Sequence, residues 1–476
     1  MYPREQSFLV LGLSKSGAAA ADFLLKKGAK TYVYDDIEGS GVQKARLALI
    51  KNGAIAVKRE DLYALSEKCD ALVLSPGIAI DHPIAVAFKR NKKAVIGESE
   101  IAARYLRSTL IAVTGTNGKT TSVSMLTALL CEGGYKATAC GNIGYPMILC
   151  ADEGAEHVAV AEISSFQLET LTSLLPHIAV VLNLTEDHLN RHYNMENYVY
   201  LKSRLLKNMR ESEYAVLNYD DKIVKGFAEK TKAKIIWFSM KEKVDGAYLE
   251  DNRLCFRGES VLCADDLALK EPHNVQNALA VVACAKLMGI DNGTIGKSLK
   301  AFKGVPHRIE SVGEVCGAEY VDDSKSTNAD AAIKAAESMQ KDTLLLLGGK
   351  DKGYDYTPLF LALKGTKVRW CVLYGENGVK IMQGALKAEY KTFTLTQTFD
   401  QALSIARTFA KKGECVLLSP ASASFDEFSS YEERGEYFVE RVRVWQKEER
   451  EKNVQDDGRV AEEYAEENAD GRDEGE

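Results

Sequence analysis

Ten short runs of mostly apolar residues recur along the chain, and most are followed by a segment with apolar residues three or four positions apart. In chain order the runs are FLVLGL, TYVYD, ALVLS, LIAVTG, HVAVAEIS, IAVVLNL, YAVLNY, LLLLGG, CVLYG and CVLLSP. Nearly continuous apolar strands that alternate with helices are typical of parallel sheets covered by helices on both faces. The pattern therefore predicts an α/β fold, with the strands grouped into three sets of βα units.

The three sets predict three domains, because a chain of 476 residues is too long for a single core. We expect domains at 1–97, 98–304 and 305–446, followed by a tail at 447–476. The tail holds 5 basic and 13 acidic residues, a net charge of −8, and has few apolar residues. Such a composition predicts disorder.

Composition and charge limit the possible functions. The chain is 46% apolar and 27% charged, as expected for a soluble globular protein. Its net charge is −7, so the part before the acidic tail carries +1 and gives no sign of nucleic-acid binding. No apolar run approaches the ~20 residues that span a membrane, and no export signal is visible. Ten scattered cysteines without a C-x-x-C pair favour the cytoplasm. We expect a monomer that inserts into no membrane.

The segment IAVTGTNGKTTSVSML has the order of residues used by phosphate-binding loops. The standard loop needs a glycine where Val113 stands, so an ordinary strand-to-helix turn is the alternative. Gly115 and Gly118, between a predicted strand and a predicted helix, would let backbone N–H groups surround an anion. Lys119 could then reach a β- or γ-phosphate, and the Thr120 hydroxyl could bind Mg²⁺.

Three further side chains are candidates for a metal site. Glu162 and His188 follow apolar strands, where doubly wound sheets usually bind ligands, and both can ligate a divalent cation. The alternatives are a helix N-terminal charge for Glu162 and a turn residue for His188. Lys202 borders the apolar face of the predicted helix NYVYLKSRLL. Such a lysine usually keeps its ammonium in water, whereas a deeper position would lower its pKa.

The N-terminal stretch LVLGLSKSG suggests a nucleotide site, although not one for a nicotinamide cofactor. Ser14 stands where the dinucleotide fingerprint requires its second glycine, between Gly12 and Gly17. Asp35 ends the following strand, as a ribose-binding acid would. The pattern favours nucleotide binding over dehydrogenase chemistry.

Taken together, these motifs resemble the muramyl ligase family, ATP-dependent enzymes that form amide bonds in bacterial cell-wall synthesis. GTNGKTT is similar to that family's own short phosphate loop. The likeness extends to about residue 446 and rests on the loop, Asn142 in CGNIG, Glu162 in EISSFQLE, His188 in TEDHL, Lys202, Asn274 and Asn277 in PHNVQNA, Arg308 in VPHRIE, and DDSKSTN. It implies a Rossmann-like first domain, a central ATPase-type domain with a short phosphate loop, and a Rossmann-like third domain.

The resemblance also implies roles for particular residues. ATP would be bound by Gly115, Thr116, Asn117, Gly118, Lys119, Thr120, Thr121, Asn274, Asn277, Arg308 and Asp323. Two Mg²⁺ ions, or Mn²⁺, would be held by Thr120, Glu162, His188 and a carbamylated Lys202. The catalytic residues would be Lys119, His188 and Lys202. A UDP-sugar peptide would be bound by Lys15, Ser16, Asp35, Asp36, Gly77, Asn142 and His188. D-Glutamate would be bound by Lys325, Thr327, Lys352, Ser424, Phe425 and Tyr431.

Within the family, four segments are most similar to the member that adds D-glutamate to UDP-N-acetylmuramoyl-L-alanine: GLSKSG, SPGI, LLLLGGKDKGYDY and LSPASASFDEFSSYEERG. Two departures are Ile37, where relatives often have a polar residue near the uracil, and Asn190 in place of a common Asp. Three alternatives remain: a phosphate-loop NTPase acting as a switch or motor, a nucleotide-binding regulator without catalysis, and a sister ligase for another amino acid.

Overall fold

The computed structural model describes residues 3–36, 39–143, 145–351 and 354–470, apart from the side chains of Pro3, Ser40, Asn190, Asp330 and residues 452–470. Its internal contacts divide the chain into two compact units, Met1–Gly304 and Val305–Glu476. The first unit contains two β-sheets and the second unit contains one. The predicted α/β fold with three sets of βα units is therefore confirmed.

The first sheet consists of five parallel strands, β1 (Ser7–Leu11), β2 (Lys30–Tyr34), β3 (Ile55–Ala56), β4 (Ala71–Leu74) and β5 (Ala94–Ile96). They lie in the order β3-β2-β1-β4-β5. The connecting helices are α1 (Lys15–Lys26), α2 (Ser40–Lys51), α3 (Leu62–Lys68), α4 (Pro83–Arg90) and α5 (Glu98–Tyr105). This order, in which the chain reverses direction beside β1, is the Rossmann type and places a ligand crevice at the carboxyl ends of the strands.

The second sheet has nine strands, β6 (Thr109–Thr114), β7 (Lys136–Gly141), β8 (His157–Glu162), β9 (Ile178–Val181), β10 (Tyr214–Asn218), β11 (Lys234–Ser239), β12 (Gly246–Glu250), β13 (Arg253–Phe256) and β14 (Glu259–Cys263). Their order is β14-β13-β12-β11-β10-β9-β6-β8-β7, with antiparallel pairing only of β12 with β13 and β13 with β14. The helices of this region are α6 (Lys119–Glu132), α7 (Ser165–Glu169), α8 (Leu189–His192), α9 (Met195–Ser203), α10 (Lys222–Lys225), α11 (Pro272–Leu287) and α12 (Asn292–Ala301).

The second unit contains a six-stranded sheet of β15 (Glu310–Val315), β16 (Ala318–Asp322), β17 (Thr343–Gly348), β18 (Val368–Tyr374), β19 (Phe393–Leu395) and β20 (Cys415–Leu418). Their order is β15-β16-β20-β17-β18-β19, and β15 alone is antiparallel to its neighbour. Its helices are α13 (Ala329–Ser338), α14 (Thr357–Leu363), α15 (Gly378–Lys387), α16 (Phe399–Phe409) and α17 (Tyr431–Asp470). Short 3-10 turns lie at Pro3–Glu5, Arg59–Asp61, Met147–Cys150, Arg204–Leu206, Gly226–Lys230 and Ala264–Asp266.

The last helix differs from the sequence prediction, because α17 continues to Asp470 through most of the segment for which we expected disorder. Glu, Lys, Arg and Ala are good helix formers, and that segment contains no proline, so local propensity favours a helix there. No helix in the described part of the chain has both the length and the apolar character required to cross a bilayer. All ten cysteines are free thiols, as their spacing predicted.

Glu98, at the start of α5, is a buried carboxyl group whose hydrogen bonds join α5 to the turn at Met147–Cys150. It accepts hydrogen bonds from the backbone N–H of Ile148 at 2.6 Å and from the hydroxyl of Ser99 at 3.0 Å. Burial raises the pKa of Glu98 from 4.5 to about 7, although these hydrogen bonds favour the charged form. Between these two pH values the folded chain holds a proton that the unfolded chain releases. The resulting stabilisation is present at low pH and is lost as the pH rises through 7.

Glu98→Gln should remove this pH dependence, because glutamine keeps an acceptor for Ile148 and cannot ionise. We expect the variant to gain up to about 3 kcal/mol in free energy of unfolding, relative to the parent chain, between pH 5 and pH 8. Urea unfolding of both proteins across this range measures the difference. If the free energies of unfolding of the two proteins changed with pH in parallel, the Glu98 carboxyl group would not titrate between pH 5 and pH 8.

Candidate active site

The loop between β6 and α6 is shaped by two glycines with positive φ, 152° at Gly115 and 81° at Gly118. Gly118 lies in the left-handed region directly before the first residue of α6. A Cβ atom at that position would collide with the side-chain amide of Asn277, which projects from α11. The close approach explains why glycine is needed here. It also brings the predicted nucleotide residue Asn277 against the predicted phosphate loop.

The segment that follows β9 supports the loop between β6 and α6 through hydrogen bonds. The backbone N–H of Thr116 donates to the carbonyl of Asn183 at 2.8 Å, and that of Asn117 donates to Asn183 Oδ1 at 2.8 Å. Thr116 Oγ1 also lies 3.1 Å from Tyr198 Oη. The Lys119 ammonium donates to the carbonyls of Gly115 at 2.9 Å and Thr116 at 2.7 Å. This side chain therefore folds back along the loop.

Thr120, Asn142 and Glu162 form a hydrogen-bonded group next to the loop, in which Thr120 and Glu162 are buried and Asn142 is exposed. Thr120 Oγ1 donates to Glu162 Oε2 at 2.7 Å, and Asn142 Nδ2 donates to Glu162 Oε1 at 2.8 Å. Glu162 is 3% exposed. The strand order β9-β6-β8-β7 explains the meeting, because these residues follow or end neighbouring strands at one sheet edge. A hydroxyl and a carboxylate are oxygen ligands suited to Mg²⁺, so the residues present fit that ion.

Lys202 lies inside the protein, so the alternative that leaves its ammonium in water is wrong. The side chain is 1% exposed, and Nζ donates to Thr114 Oγ1 and to the carbonyl of Gly115, both at 3.0 Å. Burial, together with the nearby charge of Lys119, lowers the pKa of Lys202 well below its ordinary value, against opposing effects of Asp187 and Glu162. The structure thus places a readily neutralised amine directly behind the phosphate loop.

His188 is a half-exposed residue with φ of 55°, directly before α8. Its Nε2 atom lies 3.5 Å from Asp187 Oδ2, and its ring centroid is 4.7 Å from that of Phe166. His188 follows β9 and Glu162 ends β8, two strands that both pair in parallel with β6. The role of His188 as a metal ligand stays a prediction, as do those of Thr120, Glu162 and Lys202.

Of the predicted UDP-substrate residues, Lys15, Ser16, Asp35, Asp36 and Gly77 lie at the carboxyl edge of the first sheet, whereas Asn142 and His188 follow strands of the second sheet. Gly17 is required there, because a Cβ on it would collide with the carbonyl oxygen of Gly12. Asp35 accepts a hydrogen bond from the backbone N–H of Leu13, so its carboxylate holds the turn after β1. The others follow adjacent strands: exposed Lys15 and half-buried Ser16 after β1, exposed Asp36 after β2, and exposed Gly77 after β4.

In the second unit, the loops after β16 and β20 carry most of the predicted amino-acid residues. Lys325 Nζ donates to Tyr431 Oη at 3.3 Å and lies 5.2 Å from the ring centroid. Ser424 Oγ is buried with no hydrogen-bond partner in the described part of the chain. Phe425 is 67% exposed, and Thr327 is half-buried. Lys352 and Ile37 lie outside the described residues, as does the side chain of Asn190.

Asp323, predicted to bind ATP, is 2% exposed and accepts hydrogen bonds from the hydroxyls of Ser326 and Ser419. Burial raises the pKa of Asp323 to about 6, whereas Ser326 and the charge of Arg308 oppose the rise.

A group of potential metal ligands that we did not predict lies at the neighbouring residue Asp322. Among the described residues, His307, Glu310 and Asp322 have potential ligand atoms all within 4.8 Å of one another. His307 Nδ1 is 2.7 Å from Asp322 Oδ2, so a hydrogen bond between these two side chains explains why they lie together.

Family models match all three parts of the chain. The model of the MurD-like N-terminal domain matches residues 6–97, that of the Mur ligase middle domain matches 113–285, and that of the Mur ligase glutamate ligase domain matches 307–422. The chain belongs to the Mur ligase family. The family resemblance inferred from the motifs is therefore confirmed.

Two Mur ligase relatives are similar over nearly their whole lengths. The UDP-N-acetylmuramoylalanine–D-glutamate ligase of Caldanaerobacter subterraneus subsp. tengcongensis is 40% identical over 92% of this chain and 98% of its own. The enzyme of the same name from Streptococcus mutans is 38% identical over 90% of this chain and 95% of its own.

Solved structures of Mur ligases share the fold. UDP-N-acetylmuramate–alanine ligase from Thermotoga maritima has a TM-score of 0.58 at 18% identity, covering 92% of this chain and 99% of its own. A murein peptide ligase from Psychrobacter arcticus has a TM-score of 0.57 at 15% identity, covering 91% of this chain and 98% of its own. At these identities the likeness concerns the fold alone.

Sequence reasoning missed the residues that support this Mur ligase site from behind. Asn183 and Tyr198 contact the phosphate loop, yet the sequence analysis gave neither a role, although they lie in the quoted segments IAVVLNL and NYVYLKSRLL. The position of Asn183, directly after an apolar strand, was the available signal, because polar residues at strand ends commonly face the ligand edge. Tyr198 could be recognised only as a residue on the apolar face of its helix.

Proposed function

We propose that the chain joins D-glutamate to UDP-N-acetylmuramoyl-L-alanine and converts ATP to ADP and phosphate, a step in making the peptidoglycan precursor. The observation that carries the proposal is the phosphate loop with Lys119 folded along it and the Thr120–Glu162 pair beside it. The supporting observation is that relatives named for this activity match the chain almost from end to end.

The chemistry follows from the charge of the acceptor. A carboxylate does not condense with an amine in water, so the alanine carboxylate must first be activated. Transfer of the γ-phosphoryl group of ATP to that carboxylate gives an acyl phosphate and ADP. The amine of D-glutamate then attacks the acyl carbon, and the tetrahedral intermediate collapses to the amide and inorganic phosphate.

The residues of the chain act by binding and by stabilising charge. The N–H groups at the start of α6 and the Lys119 ammonium would meet the phosphates, where charge develops during transfer. Glu162 and the Thr120 hydroxyl would hold Mg²⁺, which neutralises phosphate charge when bound. We further propose two metal ions, for which Mn²⁺ could substitute, with His188 and a carbamylated Lys202 among the ligands.

The remaining roles are also proposals. Lys15, Ser16, Asp35, Asp36, Gly77 and Asn142 would bind the UDP-substrate, while Asn274, Asn277, Arg308 and Asp323 would bind the rest of ATP. Lys325, Thr327, Lys352, Ser424, Phe425 and Tyr431 would bind D-glutamate. We propose a monomer that works in the cytoplasm.

An assay of phosphate release with UDP-N-acetylmuramoyl-L-alanine and a panel of D- and L-amino acids tests the function. We expect turnover to require ATP, the UDP-substrate and D-glutamate together. Turnover with another amino acid in preference would identify a sister ligase. ATP hydrolysis that needs neither of the other substrates would identify an NTPase switch or motor instead.

Lys325→Met should weaken the binding of D-glutamate selectively, because a lost charge-assisted contact costs roughly 1.5–3 kcal/mol. We expect its KM for D-glutamate to rise about 10- to 100-fold, with the KM for ATP within about twofold of the parent value. Lys334→Met, at an exposed position on α13, is the matched control and should behave like the parent chain. An equal rise in both KM values would place Lys325 outside the amino-acid site.

A further inference from the structure

Arg434, in the first turn of α17, is a buried cation that the mechanism above does not use. It is 1% exposed and ranks among the largest fully buried side chains. Nε donates to Ser324 Oγ at 3.0 Å, and Nη2 donates to the carbonyls of Ser324 at 2.9 Å and Ser422 at 3.2 Å. All of these acceptors are neutral.

Arg434 makes no salt bridge among the described residues, although its charge opposes the rise that burial causes in the pKa of the nearby Glu427 carboxyl group. None of the carboxylates in the described part of the chain lies within 4.0 Å of the Arg434 guanidinium nitrogens, and Nη1 is buried without a hydrogen-bond acceptor. Burying a charge without a counter-charge in hydrogen-bonding contact is unfavourable, so the buried position of Arg434 needs a compensating role.

The position of Arg434 suggests that role, because it contacts three loops that follow three neighbouring strands. Ser324 belongs to the loop after β16, and Ser422 belongs to the loop after β20. Gly349 follows β17, and a Cβ on it would lie 3.2 Å from Arg434 Nη1. These strands are adjacent in the order β16-β20-β17. One guanidinium therefore hydrogen-bonds to two of these loops and packs against the third at the carboxyl edge of the sheet.

Each of these loops carries a residue proposed above to bind D-glutamate. Lys325 directly follows Ser324, Ser424 lies two residues beyond Ser422, and Lys352 lies three residues beyond Gly349. The hydroxyl of Ser324 accepts from Arg434 Nε and donates to the carbonyl of Tyr431 at 2.8 Å. The Tyr431 hydroxyl in turn accepts from Lys325. Hydrogen bonds at the two ends of Tyr431, its backbone carbonyl and its hydroxyl, thus connect Arg434 through Ser324 to Lys325, a proposed substrate contact.

We propose that Arg434 is a positioning residue of the amino-acid site, which holds the three substrate loops together and places a fixed positive charge behind them for an anionic, dicarboxylic amino acid. The inference rests on the proposed function. Arginine suits this task because its planar guanidinium presents several donors in a fixed geometry and stays charged when buried, whereas a lysine ammonium has neither property. In a medium of low dielectric constant, such a charge attracts an anion without touching it.

Steady-state kinetics of Arg434→Lys, with each of the three substrates varied in turn, test this role. We expect the KM for D-glutamate to rise at least about 10-fold, because the lysine cannot bridge three loops. The KM values for ATP and the UDP-substrate should stay within about twofold of the parent values. Formation of the acyl phosphate without D-glutamate, trapped with hydroxylamine as the hydroxamate, should keep the parent rate. Arg443→Lys, at an exposed position on the same helix, is the matched control.

Ser324→Ala provides a second variant that disturbs the fold less, because it removes only the hydroxyl between Arg434 and Tyr431. We expect a rise in the KM for D-glutamate of about 3- to 10-fold, with the other two KM values unchanged. If Arg434→Lys does not fold, this variant decides the question alone. A parent-like KM for D-glutamate, or an equal rise for all three substrates, would overturn the inference while the function stands. Failure of the parent chain to form any hydroxamate would overturn the proposed function and the inference with it.

Discussion

Lys202→Ala is expected to reduce ligation by at least about 1,000-fold, the largest effect we predict for a single side chain. The Lys202 amine is buried directly behind the phosphate loop, where its neutral form is favoured. A neutral amine reacts with CO₂ to form a new N–C bond and releases one proton, which leaves a carbamate anion. Carbamate oxygens suit a hard cation, whereas an ammonium group cannot bind one.

Rescue and charge-conserving variants distinguish the carbamate from a simple cation. Formate or acetate should partly restore ligation to Lys202→Ala by supplying a carboxylate to the vacated space, and Lys202→Arg should remain inactive. Initial rates with and without the added anions measure both effects. Lys207→Ala, at an exposed position shortly after α9, controls for general disturbance. Full activity of the arginine variant would show that Lys202 acts only through its charge.

Lys119→Ala should lower turnover by at least about 100-fold, which corresponds to roughly 3 kcal/mol on the barrier. The Lys119 ammonium donates to the loop carbonyls of Gly115 and Thr116 at 2.9 and 2.7 Å, and a phosphate group can compete with these neutral acceptors for it. The loss should appear in kcat, because negative charge is redistributed over the transferring phosphoryl group in the transition state.

The fold of the Lys119 variant should survive, since the glycines and Asn183 shape the loop without that side chain. Thermal unfolding of Lys119→Ala should therefore resemble that of the parent chain. Lys136→Ala, at the exposed start of β7, is the control for a lost lysine charge. A turnover close to that of the parent would remove the phosphate-loop assignment.

The sequence allowed the central strands and the phosphate loop to be predicted, because both leave local signals. A nearly continuous apolar run such as HVAVAEIS predicts a strand that is buried on both faces. All ten strands predicted in this way are present. Strands β12 to β14 were among those missed, because a short strand such as ESVLC mixes exposed and buried positions. Tertiary context determined these elements.

The site was predictable only in part, for a related reason. The burial of Lys202 depends on how far α9 lies from β6, a distance that periodicity does not encode. The burial of Arg434 could not be predicted either, because the segment YEERGEYF contains three glutamates and has the composition of a solvent-exposed charged face. Its guanidinium is buried by three loops that are distant in sequence, and only the folded sheet brings them together.

The hydrogen bonds between the phosphate loop and Asn183 imply that the two parts of the loop have different roles. The backbone N–H groups of Thr116 and Asn117 are already committed to Asn183, so they serve as scaffold. An arriving phosphate would then be met by the first-turn N–H groups of α6, which no carbonyl of the same helix can satisfy. Substitutions at Thr116 and Asn117 should loosen the shape of the loop. Substitutions in the first turn of α6 should instead alter the N–H groups that bind the phosphate.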